Sequence, residues 1–199
     1  MKSLDEVAEY LNGLAMQKYR PKNDEKSLPV LKIKELRQGI FDEKSDVCSE
    51  KIDSKYHIND GDIIFSWSGS LLVKIWNGGK GGLNQHLFKV TSKDYDKWFY
   101  YLWTKYYLDK FINIAEGKAT TMGHIKRKDL SEAKTLVPQK GIYTMANKIL
   151  GEIINKIISL SVENRKLSNL RDTLLPKLMS GEIRVPLEED EMEEKVAQA

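Results

Sequence analysis

The stretch that decides the architecture is residues 142–175, IYTMANKILGEIINKIISLSVENRKLSNLRDTLL, thirty-four residues without a proline. Leu150, Ile157 and Asn164 recur at one position of a seven-residue repeat, and Ile153, Leu160, Leu167 and Leu174 follow three residues behind. A seam of period 3.5 belongs to a helix that winds against a partner helix. At 1.5 Å per residue the segment is about 50 Å long, more than a domain of roughly 140 residues can cover. It is therefore expected to project and to seek a second helix. Asn164 sits on the seam, where a buried amide costs stability unless it pairs and thereby fixes register. Arg171 takes the next equivalent position and opens the seam to water. Pro176, Gly181 and Pro186 end or kink the helix.

Upstream the texture changes. Leu4, Val7, Ala8, Leu11 and Leu14 have helical spacing with Asp5 and Glu6 near the start, which predicts a short amphipathic helix over Leu4 to Leu14. Between Ser27 and Val90, the runs Leu28–Ile33, Asp62–Ser66, Leu71–Trp76 and Leu87–Thr91 are rich in β-branched and aromatic residues and separated by Gly, Asn and Asp. They predict a small, irregular sheet. Asn59–Asp62 and Asn77–Gly82 carry turn chemistry. From Asp94 to Ala115, Tyr95, Trp98, Phe99, Leu102, Trp103, Tyr106, Phe111 and Ile114 mark a helix over that sheet. Lysines lie between these rings, and such a pair could stack on bases. Burying rings is the commoner use of the spacing, so the stripe is assigned to packing. The fold class is α+β: a mixed domain over residues 1–140, a long coiled-coil helix over 141–180, and an acidic, disordered tail over 181–199.

Charge follows the same division. The chain of 199 residues has a net charge of only +3, but the last twelve residues hold six acids and one lysine, so the remainder carries +8. Such a body favours a polyanionic partner. A single cysteine, Cys48, excludes an internal disulfide framework, and His57, His86 and His124 lie at no zinc-site spacing. No apolar run reaches eighteen residues, and the N-terminus lacks a signal-peptide core. A cytoplasmic protein without a membrane segment is expected.

Several chemistries are disfavoured. No Gly-x-x-x-x-Gly-Lys-Ser/Thr loop occurs, which argues against ATP use. Glu116-Gly117-Lys118 and Glu132-Ala133-Lys134 match only the loosest form of a metal-dependent nuclease motif. There is no Asn/Asp-Pro-Pro-Tyr/Phe segment, so methyl transfer would have to come from elsewhere. The pattern asks for no cofactor and no metal, and no residue is assigned a catalytic role.

Binding chemistry is better represented. Residues 117–128, GKATTMGHIKRK, carry four positive charges and no acid. Lys118, Lys126 and Arg127 suit phosphates, while Thr120 and Thr121 allow close backbone approach. Ser66, Ser68 and Ser70, with Lys80, Asn84, Gln85 and His86, add hydroxyl, amide and cationic groups of the kind that inspect base edges. These twelve residues are the candidate DNA contacts.

Taken in order, Leu28–Ile33 (LPVLKI), Gly61–Ile64, Ser68–Ser70, Asn84–His86, Gly117–Thr120, His124–Leu130 and the ending Leu170–Ile183 (LRDTLLPKLMSGEI) resemble the specificity subunit of Type I restriction-modification enzymes. The closing Leu-Leu-Pro-x-Leu-x-Ser-Gly-Glu-Ile signature is the most specific part. The resemblance implies a target-recognition domain followed by the family's helix, acting on double-stranded DNA without catalysis. It also implies docking of a methyltransferase subunit, joined by a translocating restriction subunit. The family pattern holds two recognition domains and two antiparallel helices, whereas this sequence shows one of each. Two copies pairing their seams antiparallel would restore the pattern and read a bipartite palindrome. A fragment of a longer chain would instead read an asymmetric site. Two other classes stay open: a coiled-coil protein-interaction module without DNA binding, and a stand-alone nuclease.

Overall fold

A computed structural model describes residues 1–117 and 123–184. The strands are β1 Lys2–Ser3, β2 Glu9–Asn12, β3 Ser27–Leu31, β4 Val47–Ser49, β5 His57–Ile58, β6 Ile63–Ser66, β7 Leu72–Ile75, β8 Gly81–Leu83, β9 Leu87–Thr91 and β10 Lys134–Thr135. The helices are α1 Leu4–Val7, α2 Ile33–Gln38, α3 Lys97–Tyr106, α4 Leu108–Gly117, α5 Arg127–Glu132 and α6 Lys140–Met179. The fold is α+β, as the sequence predicts. In place of one irregular sheet there are two of four strands, ordered β2-β9-β6-β7 and β4-β3-β8-β5, with β1 and β10 forming a short pair.

Strand alternation explains how the layers meet, because successive side chains leave a strand on opposite faces. On β6, Ile63 and Phe65 enter a core shared with the helices, while Ile64 faces a second core with Leu31, Leu36, Ile58, Trp76, Leu83 and Leu87. On β9, Phe88 and Val90 join the helix side. The first sheet thus has apolar residues on both faces. A third cluster, Met16, Leu28, Val30, Cys48 and Ile52, packs around the second sheet. Burial pushes the Cys48 thiol up to about 11, so it is a packing residue and not a nucleophile.

Two sequence expectations change. The helix expected from Leu4 to Leu14 stops at Val7: Ser3 N–H donates to the Glu6 carboxylate at 2.6 Å to start it, and Ala8 is already extended. Residues Glu9–Asn12 then pair antiparallel with β9, with Tyr10 opposite Val90, which places the Tyr10 ring against Phe65 and Phe88. The aromatic stretch forms two helices, α3 and α4, joined at Tyr107. Its rings Trp98, Phe99, Tyr100 and Phe111 are buried.

The chain divides into two compact units, Met1–Val162 and Glu163 onward. Within the first, Tyr143, Ala146, Leu150, Ile154 and Ile158 of α6 pack on the helix-side core, and Trp98 Nε1–H donates to Asn147 Oδ1 at 2.8 Å. Within the second, α6 runs through Pro176 to Met179, so this proline does not end it. Gly181, at φ +76°, follows the helix, with its N–H donating to Leu178 O at 3.2 Å. Pro186 and the tail from residue 185 lie outside the described residues.

Candidate nucleic-acid interface

Three segments far apart in sequence meet beyond the end of β6. Trp67 N–H donates to His86 O at 3.4 Å, Ile125 N–H to Trp67 O at 3.1 Å, and Gly69 N–H to Gly123 O at 2.9 Å. Ser68 forms an antiparallel bridge with His124. The loops 66–70, 84–86 and 123–127, each singled out from sequence, are therefore stitched together by backbone bonds. Trp67 lies at their centre: its ring stacks on Phe88 at 5.6 Å, stands 6.1 Å from His86 and 6.3 Å from His124, and donates Nε1–H to Asn12 Oδ1 at 2.8 Å.

The turn Asn84–Leu87 carries Gln85 and His86 at its tip, closed by Leu87 N–H donating to Asn84 O at 3.0 Å. Asn84 Oδ1 accepts His86 N–H at 3.2 Å, and Asn84 N–H donates to Leu31 O at 3.2 Å. Ser68 Oγ lies 2.9 Å from His86 Nδ1, and Ser66 Oγ donates to Ser68 O at 3.2 Å.

These bonds engage three residues of the expected contact set. Ser66, Ser68 and Asn84 are 0%, 4% and 4% exposed and direct their polar groups into the fold, as buried polar groups must. In this conformation they brace the loops. Ser70, Lys126 and Arg127 are exposed, and Gln85 and His86 are half-buried. Lys80 stands at the opposite end of β8 from Asn84, where its ammonium pairs with Glu50 at 2.5 Å and holds that carboxyl below its usual range. Lys118, Thr120 and Thr121 lie outside the described residues.

The cations at the gathered loops differ in the contacts that hold them. Arg127, at the start of α5, donates to Tyr10 O at 3.3 Å and lays its guanidinium 5.8 Å from the Phe88 ring centroid. Lys126 N–H donates to Asp129 Oδ2 at 2.7 Å, which starts α5 and sets where the exposed Lys126 side chain leaves the backbone. Lys128 pairs with Glu132 at 3.4 Å, one helical turn on. Glu132 is thus engaged in a surface ion pair, and among the described residues no three His, Cys, Asp or Glu side chains gather to hold a metal.

Sequence reasoning passed over Trp67, His124 and Asn12 as site residues. The available signal was a lone tryptophan between serines in a polar loop.

The residues expected on the helix seam divide between the core and the surface. Leu150 packs on the helix-side core, whereas Ile153, Ile157 and Leu160 are 48%, 45% and 50% exposed. Ile142, Met145 and Ile149, not assigned to the seam from sequence, are exposed on the same side of the helix by their spacing. In the second unit Asn164 and Leu167 are exposed and Leu174 is half-buried. Among the described residues, no helix is long and apolar enough to cross a membrane.

The chain is 28% identical over 167 residues to the Type I restriction enzyme MjaIX specificity subunit of Methanocaldococcus jannaschii, covering 79% of this chain and 38% of the relative. It is 25% identical over 194 residues to the HindI specificity subunit of Haemophilus influenzae, covering 92% and 41%. The S subunit of a Type I restriction-modification system from M. genitalium aligns at TM-score 0.47 and 17% identity, over 86% of this chain and 40% of that one. The chain thus spans about two fifths of the length of the curated relatives it matches. The profile of the Type I restriction modification DNA specificity domain matches residues 1–170. With a match covering most of the molecule, the chain belongs to the Type I restriction modification DNA specificity domain family.

Proposed function

We propose that this chain is a non-catalytic specificity component of a Type I restriction-modification system. In this reading residues 1–140 recognise double-stranded DNA in the cytoplasm and direct adenine methylation, and restriction, by partner methyltransferase and restriction subunits. The observation that carries the proposal, beside family membership, is the convergence of loops 66–70, 84–86 and 123–127. Lys126 and Arg127 supply phosphate contacts, while Ser70, Gln85 and His86 face the bases. Lys118, Thr120 and Thr121 extend the basic segment by their place in the sequence.

Residues 141–180 act as the spacing and dimerisation helix. The exposed apolar residues of α6 pair with those of a second copy, antiparallel, and the isologous dimer reads a bipartite palindrome. Co-expression with a cognate methyltransferase subunit, followed by genome-wide mapping of methylated adenine, tests both parts. A bipartite palindromic motif is expected. Co-purification without any methylated motif would overturn the homodimer reading, and absence of both would overturn the specificity role.

Two variants check the assignments. Arg127→Ala and Lys126→Ala in the methyltransferase complex should each weaken binding to all duplex sequences and reduce the salt slope by about one. Fluorescence anisotropy titrations at several salt concentrations measure this, and an unchanged slope would remove the residue from the phosphate contacts. Ile157→Asp places a charge on the exposed stripe and should convert the dimer to monomer, read as a halved mass in light scattering.

A further inference from the structure

Resting on the DNA-reading role proposed above, we infer that Arg20 holds a backbone phosphate of the duplex in a recess beside the Asn84–Leu87 turn, a contact outside the set expected from sequence. The strand ends bring the two together. β3 and β8 run parallel and pair at their last residues, Leu31 with Leu83. β9 begins at Leu87 opposite Ser66, the last residue of β6, and β2 ends at Asn12 opposite Phe88. Four strands therefore end around this turn, and the segments that leave them there share one end of the fold with the gathered loops.

The segment after β2 is held at several points. Gly13 N–H donates to Leu87 O at 3.0 Å, Leu14 bridges Asn84, Met16 is buried in the third cluster, and Tyr19 O accepts Ser49 N–H at 2.7 Å. The backbone that carries Arg20 is thus fixed immediately before it. A cation on an anchored segment loses less freedom on binding than one on a loose loop. Loop 66–70 meets the turn through His86, whereas this segment meets it through Leu83, Asn84 and Leu87. Arg20 and the pair Lys126 and Arg127 therefore reach the turn by different neighbours.

The recess itself, about 400 Å³, is lined by Gln17, Arg20, Lys32, Asp46 and Asn84 among others. Its charges decide what it takes. Asp46 is already engaged by the Lys32 ammonium, which, with Arg20 adding its field, holds that carboxyl below its usual range. Arg20 is exposed and enters no ion pair among the described residues. One positive charge is left over, on the side chain whose two parallel N–H groups match two phosphate oxygens. Lys32 would have to give up Asp46 to bind a phosphate, and Arg20 gives up nothing. A phosphate carries no sequence information, so the contact sets where the duplex lies against the turn and leaves the reading of bases to the turn's tip.

The test uses the full chain in complex with its methyltransferase subunit, titrated with duplex DNA over a salt series. Arg20→Ala should weaken binding to every sequence, reduce the salt slope by about one for each recognition domain bound, and leave the methylated motif and the thermal midpoint as in wild type. Arg20→Lys keeps the charge without the fork and should keep the slope. The control is Lys26→Ala, which removes the same charge elsewhere: the Lys26 carbonyl accepts the N–H of Glu50, the partner of Lys80 at the opposite end of β8. Its slope should stay at the wild-type value. An unchanged slope in Arg20→Ala, or an equal fall in Lys26→Ala, would overturn the inference, the second because net charge alone would then account for the effect. An altered motif in Arg20→Ala would overturn the phosphate assignment, and a lowered thermal midpoint would make Arg20 structural. If the wild-type complex bound no DNA at any salt concentration, the DNA-reading role itself would fall, and this contact with it.

Discussion

Phe65→Ala is expected to destabilise the first compact unit by about 3–5 kcal/mol, the range for deleting a buried aromatic ring. Phe65 is fully buried on the central strand β6, and its ring stands 6.3 Å from Tyr10, 6.2 Å from Phe88 and 5.8 Å from Phe111, stacked on the last. One truncation therefore removes contacts to β2, β9 and α4 together. Against a total stability of about 5–15 kcal/mol, the loss is a large share. At roughly 2–4 °C per kcal/mol for a unit of this size, the thermal midpoint should fall by about 6–20 °C. Thermal and urea unfolding measure it, and Phe65→Leu, which fills more of the space, should lose less than half as much. A drop of under about 1 kcal/mol in Phe65→Ala would contradict the packing described for this core. Because Ser66–Ser70 leave the same strand, DNA affinity should fall in parallel with stability.

Gly13→Ala is the second large effect, and its cause is steric. A Cβ on Gly13 would lie 2.3 Å from the carbonyl oxygens of both Asn84 and Leu83, and neither can swing away as a side-chain tip can. The adjoining bonds, Gly13 N–H to Leu87 O at 3.0 Å and Leu14 N–H to Leu83 O at 2.9 Å, would have to lengthen or break. A cost of about 3 kcal/mol is expected, at the upper end for overpacking. The control is Gly39→Ala: Gly39 has φ +84° with nothing within 4 Å of an added Cβ, so only the left-handed backbone is penalised, by about 1 kcal/mol. Denaturant melts of the two variants separate the mechanisms, and equal losses would refute the steric account. Since Asn84 anchors the turn that carries Gln85 and His86, Gly13→Ala should also weaken DNA recognition more than its stability loss alone predicts.

Other expected contacts depend on the same tertiary detail. The serines at 66 and 68 and the amide at 84 are polar residues in loop-like sequence, which is also what an exposed reading loop looks like. Their hydroxyl and amide partners come from residues 68 and 86, and backbone pairing to residue 124 closes over them. No local pattern distinguishes the two situations. Lys80 is similar: the glycine-rich run around it suggests a free cation, and Glu50, thirty residues away, occupies it.

Local periodicity and local chemistry carried everything that the residues alone made legible. The repeat from Leu150 to Leu174 specified a long helix, and the β-branched runs located β3, β6, β7 and β9. The closing signature with the motifs before it pointed to the family. Tertiary structure decided the features whose energy comes from distant partners. Residues 9–12 gave up helical spacing for a strand because β9, nearly eighty residues on, satisfies their backbone groups and buries Tyr10 between rings. Leu150, whose spacing fits the seam, packs on the helix-side core because that core offers it apolar surface. The separation of buried serines from an exposed Lys126 and Arg127 was decided the same way. Burial and hydrogen-bond satisfaction depend on which surfaces the folded chain brings together, and spacing along one segment does not contain that information.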